Sequence, residues 1–136
     1  MIAVPTRLIM ASSSLCLVLA GAALLFAPAE ALAALGMSSA EPLLAQLLGA
    51  AYLGAAAANW TARGAMIGGI YARPLSVGNY VHFVVGTIVL AMGLRRGEPG
   101  AVYFVALVLY AVFGACFTLL LFGGPGFARH RGDANE

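Results

Sequence analysis

The side chains in this sequence able to do chemistry are few, and most fall in one stretch, Asn59 to Gly86, which carries Asn59, Trp60, Arg63, Tyr71, Arg73, Asn79 and His82. His82 stands inside an apolar segment. A neutral imidazole there can ligate the iron of a haem or the magnesium of a chlorin, or pass a proton along. It can equally hydrogen-bond to Asn59, Asn79 or a backbone carbonyl and tie two helices together. Asn59, Asn79 and His82 thus form the candidate cofactor-binding set. Two-histidine ligation would need His130, which lies beyond the GGPG break at 123–126. Arg63 and Arg73, with Trp60, form a second candidate set for a lipid headgroup or another anion, because a guanidinium presents a fork of donors. The same residues also suit plain anchoring at the headgroup level.

Other chemistries find no foothold. The two cysteines, Cys16 and Cys116, make no CxxC or Cys/His pattern, and no metal site is expected. No Asp or Glu falls within an expected membrane span, so the carboxylate used by proton-coupled transporters is missing. That separates the chain from small multidrug exporters, which depend on an acid in the first helix. The pore signature of fluoride channels and the cysteine pair of quinone-linked thiol oxidoreductases are also missing. No paired carboxylates, nucleophile–base pair or phosphate loop is present. The expectation is a protein that is not an enzyme, with no catalytic residues.

The elements that hold these groups follow from composition. Of 136 residues 62% are hydrophobic and 9% charged, against roughly a quarter charged in an ordinary soluble domain. A chain this short cannot hide so much apolar surface from water, so lipid is its solvent. A net charge of +2 is too weak for a nucleic-acid partner. About twenty apolar residues cross a bilayer core. Four stretches stand out, about 8–27, 43–62, 79–94 and 101–122, the third of them short for a span, followed by a polar tail at 123–136. The expected fold is therefore all-α: a single membrane domain over 1–136, a polytopic four-helix bundle of up-and-down topology.

The first stretch has a rival reading as a secretory signal, from Arg7, an apolar core and AEALA at 29–33. The core is longer than signals carry. Between the first two spans, Glu30 to Met37 suits a short interfacial helix, and Glu41-Pro42 a helix start. Ala50, Gly54 and Ala58 recur every four residues, which marks them as the packing face of the second span. Pro74 and the glycines at 64, 68, 69 and 78 are expected to keep residues 64–78 out of regular helix, lying on the interface or re-entering it. Asn79, His82, Gly86 and Gly93 share one face of the third span, and Tyr103, Tyr110, Gly114 and Phe117 one face of the fourth. Gln46 and Asn59, near the two ends of the second span, suit interhelical hydrogen bonds. Cys16 and Cys116 fall at similar depth.

Arginine counts set the expected orientation. Arg7, Arg63, Arg73, Arg129 and Arg131 share one side and Arg95 and Arg96 the other, which favours both termini in the cytoplasm. Abundant Ala, Gly and Arg with no Lys suggest a GC-rich bacterial source and a multi-pass protein of the inner membrane. The stretch NWTARGAMIGGIYARPLSVGNYVHFVVG resembles small uncharacterised bacterial four-helix membrane proteins. That resemblance implies the fold and no activity.

The leading functional expectation is a non-enzymatic accessory or interaction subunit of a membrane assembly, its partners being the bilayer, other membrane subunits or further copies of itself. The alternatives are a membrane-embedded protein binding haem, chlorin, quinone or lipid through His82 and the polar residues of 59–82, and a small oligomeric channel or transporter.

Overall fold

A computed structural model describes residues 6–37, 41–64, 72–96 and 100–122. The chain forms α1 (Thr6–Phe26), α2 (Pro28–Ala34), α3 (Pro42–Ala62), α4 (Ala72–Gly93) with a 3₁₀ turn at Leu94–Arg96, and α5 (Ala101–Phe122). No strand occurs among the described residues. Four helices are long and apolar enough to cross a membrane: Thr6–Phe26, Pro42–Ala62, Arg73–Gly93 and Ala101–Phe122. Expectations about Ser38-Ser39, residues 65–71, residues 97–99 and the tail with His130 lie outside the described residues.

The local chemistry explains where helices begin and end. Pro28 opens α2 and Pro42 opens α3, where the missing N–H would have had no intrahelical partner. The α2 helix ends sooner than Met37. Gly36 takes φ 75°, the Gly36 N–H donates to the Ala33 carbonyl, and the Met37 N–H donates to the Leu32 carbonyl. This pair of back-reaching bonds is the Schellman arrangement that favours glycine in the left-handed region.

The third span corrects the sequence expectation. Residues 72–78 are helical, and α4 starts seven residues before Asn79. Pro74 is the third residue of the helix. The first four N–H groups of a helix have no acceptor within it, so a proline there removes nothing. The Gly78 backbone continues the same helix. The extra turns lengthen a span that looked too short into one of 22 residues, about 33 Å at 1.5 Å per residue.

Packing joins α1 to α3 and α4 to α5 as two antiparallel pairs. At Gly21 and Gly49 the two backbones almost touch. A Cβ built on Gly21 would lie 2.9 Å from the Gly49 carbonyl oxygen, and one on Gly49 would lie 2.7 Å from that of Gly21. Further along, the Ser14 hydroxyl donates to the Ala56 carbonyl at 2.7 Å. In the other pair, Gly86 makes room for the Tyr110 ring and Gly93 for the Tyr103 hydroxyl, which donates to the Leu90 carbonyl at 2.6 Å. Of the faces expected on α4 and α5, His82, Gly86 and Gly93 meet Tyr110 and Tyr103, whereas Asn79 turns to Asn59 of α3.

The pairs meet through an aromatic core. Phe83 stacks on Phe117 with ring centroids 5.7 Å apart and packs on Phe113 at 5.1 Å. Ile9, Met10, Leu17 and Ala56 complete that cluster from the other pair. A smaller cluster of Leu24, Leu32 and Ala45 lies at the far end, where α2 folds over. Outward faces carry Leu15, Leu19, Leu47, Ile88, Val89, Val105 and Leu119, all exposed, as expected of side chains that meet lipid tails.

The α3 packing face differs from the one expected. The buried residues of α3 are Ala45, Gly49, Ala56 and Asn59, whereas Ala50 and Gly54 are exposed. A Cβ on Gly54 would have nothing within 4 Å. Both sets are small residues at helical spacing, so spacing alone does not separate them.

Candidate functional site

Polar side chains inside the bundle lie in two layers. The first is near the end where α1 begins, α3 ends and α4 begins. The Asn59 amide donates to Asn79 Oδ1 at 2.8 Å, and the Asn79 amide donates back to Asn59 Oδ1 at 2.6 Å. The Asn59 amide also donates to Ser13 Oγ at 3.1 Å, and Ser13 Oγ donates to the Met10 carbonyl. Asn79 additionally donates to the Leu75 carbonyl at 3.0 Å. Three helices are thus joined by fully buried groups: Asn59 and Ser13 are 0% exposed.

The second layer sits halfway along the helices. The Tyr52 and Tyr110 hydroxyls share a hydrogen bond at 2.5 Å, and the Tyr110 hydroxyl also lies 3.2 Å from His82 Nε2. The His82 ring is edge-on to Tyr52, with centroids 5.4 Å apart, and to Phe83 at 4.9 Å. The sequence offered Asn59, Asn79 or a carbonyl as partner for His82, and the structure gives it Tyr110. This layer borders a void of about 90 Å³ lined by Cys16, Leu17, Tyr52, Phe83, Tyr110 and Phe113, among others. The void is smaller than a cavity of about 150 Å³ known to enclose one benzene ring. A metal at Nε2 would displace the Tyr110 hydroxyl. Among the described residues no three His, Cys, Asp or Glu side chains gather as metal ligands.

The anion set is at the same end as the asparagine layer. Arg63 closes α3, with its guanidinium stacked 3.9 Å from the centroid of the Trp60 ring and hydrogen-bonded to the Trp60 carbonyl. Trp60 is 51% exposed. Arg73 is exposed at the start of α4. Gln46, at the opposite end, donates to the Leu25 carbonyl at 3.3 Å, an interhelical bond as its position suggested. Cys16 and Cys116 are free thiols, and both rest partly buried on the aromatic core.

Tyr52, Ser13 and Ser14 were not singled out from the sequence. A signal for Tyr52 existed. It stands three residues after Gly49 and seven before Asn59, on the buried side of α3, where a polar aromatic calls for a partner. No side chain nitrogen or oxygen that is buried among the described residues lacks a hydrogen bond.

Fold and site together define a small multi-pass helical membrane protein. No protein-family model, curated protein or solved structure matches the chain.

Proposed function

We propose that this chain is a non-enzymatic interaction subunit, a rigid four-helix module that offers the outward face of α3 to a transmembrane helix of another membrane protein. The observation that carries this reading is Gly54. It lies exposed on α3 one turn from Ala50, and space is open where its Cβ would be. Lipid tails do not drive helices together by hydrophobicity, so close backbone approach at small residues is a main source of association. Gly21 and Gly49 use that chemistry inside the chain. Ala50 and Gly54 keep it available on the outside. The interior supports the same reading, since Asn59, Asn79, Tyr52 and Tyr110 hold the helices to each other.

The experiment is mass spectrometry of the protein released gently from its own membrane. A stoichiometric partner is expected with the natural sequence and is lost with Gly54→Leu. A monomer without companion, or a complex indifferent to Gly54→Leu, refutes the reading; a complex holding only further copies of this chain replaces the foreign helix with self-association. Abundant Ala, Gly and Arg with no Lys support a bacterial inner membrane, and the arginine distribution supports both termini in the cytoplasm. A reporter fused after Glu136 tests that orientation.

A further inference from the structure

A second feature of the outer surface points to a small ligand. Between α1 and α3 runs an open groove of about 320 Å³, lined by Ser14, Leu15, Val18, Leu53, Ala57 and Trp60, with Ala56 at its floor. Ser14 is the one hydroxyl in this set, and it is bonded to the Ala56 carbonyl. The volume is about twice that of a cavity that encloses benzene. The lining is otherwise apolar side chain, and the groove lies along the helices, the shape an acyl chain fills.

What stands at its head is set by register. Ser14 meets Ala56 and Gly21 meets Gly49, so the positions of level residues on these antiparallel helices sum to 70. Arg7 and Arg63 obey the same sum and stand level with each other. With 3.6 residues per turn, Arg7 shares a face of α1 with Ser14 and Val18, and Arg63 a face of α3 with Ala56. Arg7 is exposed, and the Arg63 guanidinium is stacked on Trp60, itself a groove residue. The acidic residues of the described helical end regions, Glu30 and Glu41, lie at the opposite end of this pair.

We infer that the α1–α3 groove binds one anionic phospholipid, its acyl chain along Val18, Leu53 and Ala57 and its phosphate at Arg7 and Arg63. Two positive charges above an apolar channel match a lipid that is negative at the head and apolar in the tail. Trp60 joins the two regions, since its indole suits the boundary between headgroup and chain. Arg73 opens α4, a helix that contributes nothing to the groove, and is not part of this site.

The test uses the full chain in nanodiscs or mild detergent, with phosphatidylglycerol and phosphatidylcholine supplied together and retained lipid counted by native mass spectrometry. One phosphatidylglycerol per chain is expected, preferred over phosphatidylcholine by about tenfold. The double variant Arg7→Gln/Arg63→Gln should lose the preference and keep a lipid. Ala57→Phe should fill the groove and release lipids of both classes, with circular dichroism unchanged because Ala57 is exposed. Equal retention of both lipids by the natural sequence overturns the proposal. So does undiminished phosphatidylglycerol in Ala57→Phe, or a dimer that Ala57→Phe abolishes, which would make the groove a seat for a second copy. Competition by inorganic phosphate alone as effective as that by phosphatidylglycerol would reduce the site to a headgroup contact and also overturn it. Gly54 does not line the groove, so Gly54→Leu should remove the partner and leave the lipid count unchanged, while Arg7→Gln/Arg63→Gln should abolish the lipid preference and leave the partner bound; either proposal can therefore fail alone.

Discussion

Asn59 and Asn79 face each other across α3 and α4 as a reciprocal amide pair, each donating to the other's carbonyl oxygen at 2.8 and 2.6 Å. Both are buried, at 0% and 5% exposure. In hydrocarbon no water stands ready to replace a lost partner, so each amide depends on the other.

That dependence gives the first expected outcome. Asn59→Ala or Asn79→Ala should each destabilise the folded chain by about 1–2 kcal/mol, the scale of polar contacts between membrane helices. The double variant should cost clearly less than the two summed, because the second substitution removes a group already left unpaired. Reversible unfolding in mixed micelles measures all three. Additive losses would show that the amides act independently.

Glycines separate inside from outside on α3. Gly49→Ala places a methyl against the Gly21 carbonyl, a backbone atom that cannot swing aside, and should cost about 1–3 kcal/mol. Gly54→Ala meets nothing and should change stability by no more than about 0.5 kcal/mol. The same unfolding assay distinguishes them. Equal losses at both positions would contradict the assignment of the packing face.

Tyr110 is the hub of the mid-bundle layer, since its hydroxyl reaches both Tyr52 and His82. Tyr110→Phe removes two hydrogen bonds and should cost about 1–2 kcal/mol, whereas Tyr52→Phe removes one and should cost about half as much. The ring positions stay filled in both variants, so the comparison isolates the hydroxyls. A Tyr52→Phe loss that exceeds that of Tyr110→Phe would move the hub.

Pro74 tests the start of α4. Pro74→Ala should leave helix content unchanged and stability within about 0.5 kcal/mol, because a first-turn proline lacks a hydrogen bond that the helix does not make. Val81→Pro, ten residues into the helix, should cost about 3 kcal/mol or more. Circular dichroism with thermal unfolding reads both effects.

Much of the fold was legible in residue order alone. Four apolar stretches of span length, the proline at position 42 and the aromatic faces of α4 and α5 all follow from hydropathy and helical period, because a lipid-exposed helix must satisfy its own backbone. Asn59, Asn79 and His82 stood out because polar groups within such helices are costly and therefore few. Which polar group meets which was not legible. His82 pairs with Tyr110, 28 positions away, rather than with a nearby asparagine, and Tyr52 enters the same layer from a helix where nothing but phase marks it. Residue order likewise pointed to Ala50, Gly54 and Ala58 as the packing face of α3, whereas the small residues that pack are Ala45, Gly49 and Ala56. Period fixes which residues share a face, but the face that turns inward depends on how tightly a neighbouring helix can approach. Here the close passage of Gly21 over Gly49 turned Ala45, Gly49 and Ala56 inward and left Ala50 and Gly54 facing out.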